Sequence, residues 1–143
     1  MLALDFSANL LTCIQEKWLP ESVNLEVIRL NQNRIMYVAN NSFSHMTKLR
    51  YLHLRDNKIS SVSADTFPTQ SLVTVDLKEN PLCHKDVKLL NLSSTRVLLS
   101  QDSNSPACNV DDDLSMKGIQ MCSGGSGDKW PMFTLAIIIF LEV

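Results

Sequence analysis

With 143 residues the chain can bury one hydrophobic core, and its formal net charge of −2 offers no basic patch for a nucleic-acid partner. Four cysteines are too few to build a disulfide miniprotein, so their placement matters more than their number.

In chain order, the first stretch, "MLALDFSANLLTC", lacks a basic start and interrupts its apolar run with Asp5 and Asn9, which makes it a poor signal peptide. It reads instead as the first of four copies of one pattern. Met1, Leu4, Phe6, Asn9 and Leu11 are followed by Leu25, Ile28, Leu30, Asn33 and Ile35. Then come Leu49, Leu52, Leu54, Asn57 and Ile59, and after them Leu72, Val75, Leu77, Asn80 and Leu82. Copies start near residues 1, 25, 49 and 72, at steps of 24, 24 and 23 residues. Within each copy the Ile28 and Leu30 type of alternation has a strand's period of two, so short strands are expected to stack side by side as a parallel sheet. The turn that follows is buried by the stacking and leaves backbone polar groups away from water. Asn9, Asn33, Asn57 and Asn80 can satisfy them, because a carboxamide both donates and accepts and can bond from one copy to the next. Residues 2 to 6 form a terminal strand with no cover, so upstream repeats, a cap and a signal peptide are expected outside the sequence.

The wording L-x-x-L-x-L-x-x-N-x-L at this period resembles the leucine-rich repeat family. Val38, Phe43 and Met46 of one copy, matched by Val62 and Phe67 of the next, resemble the loop-rich return of its extracellular members. The resemblance implies an α/β solenoid, a right-handed superhelix with short parallel strands on a concave face and a loop-rich convex side. Residues 1–82 would be the repeats, 83–122 a C-terminal cysteine cap, 123–131 a Gly/Ser hinge and 132–143 an apolar, membrane-associated tail.

The cap reading rests on "NPLC" at 80–83, which resembles the opening of a cysteine-bearing cap, with Cys83, Cys108 and Cys122 at matching places. The usual second cysteine near the start is absent, Lys85 standing two residues after Cys83. The resemblance implies a disulfide from Cys83 to Cys108, or alternatively to Cys122. Cys13 lies three copies from Cys83, about 14 Å at about 4.8 Å per strand, beyond disulfide reach. Three cysteines with His84 lack the close ligand pairs of a zinc finger, so no metal or other cofactor is expected. Two sequons, at Asn40 and Asn91, fit an exported glycoprotein.

The tail follows "SGGSGDKWP", in which Lys129 and Trp130 suit a membrane interface. "MFTLAIIIFL" (132–141) is uncharged, but ten helical residues reach only about 15 Å against a core of about 30 Å. It reads as a glycolipid-anchor signal or as the start of a spanning helix, with a buried core strand as the remaining alternative.

Function is expected on the concave strand positions. Arg29, Asn31, Tyr51, His53, Arg55, Asp76 and Lys78 are the candidate ligand-binding residues, rich in groups that anchor protein interfaces. No nucleophile elbow, zinc helix or phosphate loop occurs, so no catalytic residues are expected. The resemblance implies a cell-surface receptor fragment that is membrane-tethered, of the Toll-like innate-immune or the adhesive kind, and binds a protein or glycan ligand. The alternative is a secreted or matrix-type structural protein mediating adhesion.

Overall fold

The computed structural model describes residues 1–19, 24–82, 92, 94–100 and 137–140. The strands among these residues are β1 (Leu2–Asp5), β2 (Cys13–Ile14), β3 (Val27–Arg29), β4 (Tyr37–Val38), β5 (Tyr51–His53), β6 (Thr74–Asp76), β7 (Arg96–Leu98) and β8 (Ile137–Phe140). Six of them form one sheet in the order β7-β6-β5-β3-β1-β8, and β2 pairs with β4 in a second, two-stranded sheet. From β1 to β6 the parallel register is that of the sequence repeat: Ala3 faces Val27, Val27 faces Tyr51, and Tyr51 faces Thr74.

Each coil buries the same phases. Leu4, Ile28, Leu52 and Val75 point inward from the strands, and Leu11, Ile35, Ile59 and Leu82 follow the turns, all at most 6% exposed. Burying one such side chain contributes roughly 1.5–3 kcal/mol, and no coil encloses its own set without neighbours. The outer loops add a second layer, in which Phe43 and Phe67 occupy equivalent sites 24 residues apart. Trp18 fills that layer in the first coil, with its ring centroid 5.8 Å from Phe6 and 6.1 Å from Phe43.

The turn after each strand repeats a backbone feature with no glycine signature. Ala8, Gln32, Asp56 and Glu79 all adopt positive φ, between 55° and 58°. A left-handed residue is disfavoured for a side chain bearing Cβ, so the surroundings must hold it there. Part of that hold is visible: the amides of Ala8, Gln32 and Asp56 donate to Asn31, Arg55 and Lys78 carbonyls on the next coil, at 2.9–3.0 Å. The reversal swings the following asparagine inward.

The α/β expectation is corrected. Among the described residues the return segments contain no α-helix, only β2, β4 and one 3₁₀ turn at Ala64–Thr66, so the fold is a β-solenoid. Asn41, at φ 60°, breaks any helix between the buried Val38 and Phe43. The loops bond coil to coil instead: the Asn41 and Phe43 amides donate to the Asp65 and Thr66 carbonyls. The 3₁₀ turn is capped by the Ser63 side chain, which accepts from the Asp65 amide at 3.4 Å.

Two strands lie beyond the four recognised copies. β7 continues the parallel sheet from β6, pairing Thr74 with Arg96, Val75 with Val97 and Asp76 with Leu98. Its anchor is Thr95, whose buried hydroxyl donates to the Leu72 carbonyl at 2.8 Å. β8 pairs antiparallel with β1, Leu2 opposite Phe140 and Asp5 opposite Ile137. The uncovered first strand of the sequence reading therefore has a neighbour.

The reading of residues 132–143 as membrane-associated is corrected by the same strand. Residues 137–140 are hydrogen-bonded into the sheet, and no helix among the described residues is long and apolar enough to cross a membrane. The expected disulfide from Cys83 to Cys108 or Cys122 lies outside the described residues, as do Asn91 and His84. Cys13, set aside above on distance, is disulfide-bonded, with its partner outside the described residues. The distance argument measured only along the stacked strands; it took no account of a chain that returns to the first coil, as β8 does.

Candidate functional site

The face of the sheet opposite the core carries the side chains that alternate with the buried Leu and Ile positions. Register places them in three rows. The first runs Ala3, Val27, Tyr51, Thr74 and Arg96, and the second Asp5, Arg29, His53, Asp76 and Leu98. The third follows two residues later with Ser7, Asn31, Arg55 and Lys78. The seven candidate residues therefore share one surface. Arg29, Asn31, Tyr51, His53, Asp76 and Lys78 are half-buried and Arg55 is exposed. Ala3 and Val27, at the β1 end of the first row, are buried and contribute no accessible side chain.

Several polar groups on this face are committed to holding the backbone. The Asn31 carboxamide oxygen accepts from the Arg55 amide at 2.9 Å, across to the next coil. Asp5 and Asp76 each accept from the amide two residues on, at Ser7 (2.9 Å) and Lys78 (3.1 Å), the bond of an Asx turn. Sequence spacing gave no sign of these second uses. The Arg50 guanidinium stands 5.7 Å from the Tyr51 ring centroid, at cation–π distance, and steadies the aromatic on the open face. Arg55 and Glu79 form an exposed pair at 3.8 Å, which contributes little to stability. Around that pair an open depression of about 560 Å³ is lined by Ser7, Asn31, Gln32, Arg55, Asp56 and Glu79.

His53 sits in the middle of the second row. Burial, and then the Arg29 charge beside it, lower its pKa from the ordinary 6.5, against the opposing pull of Asp76 and Asp5. The imidazole is therefore neutral at pH 7. Because the unfolded chain takes up this proton first, the contribution of His53 to stability is whole above pH 6.5 and is lost as pH falls from 6.5 toward the lowered folded value. His53→Gln is expected to flatten the pH dependence of the urea midpoint between pH about 7.5 and about 5.5. An unchanged slope in that variant would remove His53 as its source.

The structural asparagines lie beneath this face. Asn33 donates to the carbonyls of Phe6 (3.0 Å) and Leu30 (3.1 Å) and accepts from the Leu11 amide (3.1 Å). Asn57 repeats the set with Leu30, Leu54 and Ile35, and Asn80 with Leu54, Leu77 and Ile59. Asn9 bonds to Phe6 and Ser7 of its own coil. On the outer loops Asn40 is exposed, while the Ser42 hydroxyl of its sequon is buried and donates to the Ala39 carbonyl.

Among the described residues no group of three His, Cys, Asp or Glu side chains is placed to hold a metal ion. Parallel rungs with inward asparagines define the class of fold, a solenoid of the leucine-rich-repeat type. Residues 2–59 match the leucine rich repeat family model. That match is to the repeat in general and carries nothing specific to Toll-like receptors or innate immunity, which corrects that part of the sequence reading. No match was found among curated proteins. A repeat solenoid of this type is consistent with a protein-binding scaffold.

Proposed function

We propose that the chain is a protein-binding scaffold of the secreted or matrix type, mediating adhesion through the outer face of its sheet. The observation that supports this reading most directly is the cluster formed by Tyr51, Arg29, His53 and Arg55. Arg29 stands on β3, Tyr51 and His53 on the neighbouring β5, and Arg55 two residues beyond it, all of kinds that anchor interfaces and on a surface the core does not need. Carboxylates at Asp76, Asp56 and Glu79 flank the two arginines, so the face presents both signs of charge within a few rungs. Such a mixed face suits a folded protein partner with complementary charges better than a uniformly charged polymer.

The test uses the immobilised chain as bait in a matrix extract, with Tyr51→Ala and Arg55→Glu variants alongside. Each variant is expected to weaken capture by about tenfold or more while leaving the melting temperature within about 3 °C. Equal capture by both would move the binding surface off this face.

A further inference from the structure

The sequon at Asn40 is half open and half closed in the fold. Asn40 and Asn41 are exposed, while Ser42 has no exposed surface and its hydroxyl donates to the Ala39 carbonyl. The backbone on either side is tied to the next coil: the Asn41 and Phe43 amides donate to the Asp65 and Thr66 carbonyls at 3.1 and 3.0 Å. An enzyme that reads this triplet must reach the Asn carboxamide and the Ser hydroxyl together. Freeing that hydroxyl means lifting residues 39–43 off the stack and drawing the buried Phe43 ring into water.

We propose that Asn40 is an N-glycosylation site that is filled only before its coil docks on the next one, and that folding then closes the sequon to the enzyme. The donor is an oligosaccharide carried on a lipid pyrophosphate. The Asn40 amide nitrogen attacks the anomeric carbon, and a C–N bond forms as the C–O bond to pyrophosphate breaks. The lipid pyrophosphate leaves with the bonding pair, and the amide gives up one proton to base. Cys13 is disulfide-bonded, which supports passage through the oxidising compartment where exported chains meet such a donor. The folded chain accommodates the product, because the Asn40 side chain is exposed and follows β4 on the outer loops, apart from the strand positions of the candidate face. Adhesion through that face is a separate matter: both require export of the chain, but occupancy of Asn40 is read without any capture step.

The full chain is secreted from insect cells behind a cleavable signal peptide and digested, and its peptides are treated with peptide-N-glycosidase in heavy-oxygen water. Position 40 is expected to appear as Asp bearing one heavy oxygen, the mark of a removed glycan, and Asn40→Gln to lose it. A second arm tests the order of events. Unglycosylated full chain, made in bacteria and folded with its cysteines oxidised, is presented to an oligosaccharyltransferase with lipid-linked oligosaccharide, beside a peptide of residues 36–46. The peptide is expected to accept the sugar and the folded chain to do so at least about tenfold more slowly, since residues 39–43 must first open. An unmodified Asn40 in the secreted chain, or a peptide that is no acceptor, would overturn the site. Equal rates for peptide and folded chain would overturn its closure by folding.

Discussion

Asn57→Ala is expected to lower stability by about 3–5 kcal/mol, lowering the melting temperature by at least about 12 °C. The size follows from what the carboxamide holds. Asn57 is 1% exposed, donates to the Leu30 and Leu54 carbonyls at 2.9 and 3.0 Å, and accepts from the Ile35 amide at 3.1 Å. Alanine would leave two carbonyls and an amide on two coils short of these bonds, at a site buried from solvent. A buried group left unsatisfied costs about 1–3 kcal/mol. Asn57→Asp would keep the acceptor, lose both donors and bury a charge, so it should be no better tolerated. Asn9→Ala is the control. Among the described residues Asn9, half-buried, bonds to Phe6 and Ser7 of its own coil, so its loss is expected to cost about 1 kcal/mol. Thermal unfolding of the three variants checks the order. Equal losses at positions 9 and 57 would mean that these residues act as local turn formers, and the bonds between coils would then carry little of the stability.

The parts of the fold that repeat were legible because each coil must solve the same problem with the same residue types. An inward Leu at 52 or 77 and an amide at 57 or 80 recur at one phase, and the period then dictates which side chains share the sheet face. The return segments were not legible in the same way. Phe43 and Phe67 mark a buried phase, yet nothing in the spacing separates a helix from a loop whose hydrogen bonds run to its neighbour, as Phe43 does to Thr66. Trp18 escaped notice because it is a different aromatic, one place off the phase set by Phe43 and Phe67. The left-handed turn residues carry no signature either. Ala8, Gln32, Asp56 and Glu79 share a backbone state, imposed by stacking, and no chemistry. β7 lacks the repeat asparagine that identified the other coils. β8 pairs with a strand more than 130 residues earlier, and such a contact leaves no periodic mark. On the candidate face, register revealed which residues stand together. It could not reveal that Asn31 and Asp76 also bond the backbone, because that depends on side-chain direction at each turn.

Phe43→Ala is the second change expected to be severe, at about 3–5 kcal/mol, and it tests the outer layer independently of the asparagines. Phe43 has no exposed surface, and the Trp18 ring meets it edge-on at 85°. The cost of truncating such a ring depends on whether the surroundings collapse into the space. Here they are restrained. The Phe43 amide is bonded to the Thr66 carbonyl at 3.0 Å, and the Phe43 carbonyl accepts from the Met46 amide at 2.9 Å, which fixes the loop at its height on the stack. Trp18 is bounded on its other side by Phe6, 5.8 Å away, and cannot follow the vacated ring without leaving that contact. Phe43→Leu keeps most of the apolar volume and is expected to cost less than half as much. If alanine and leucine lowered the urea midpoint equally, the loss would lie in the aromatic contact with Trp18 and not in the filled volume. If neither changed it, the outer loops would contribute nothing to holding the coils together, and the inward strand residues would have to stabilise the solenoid alone.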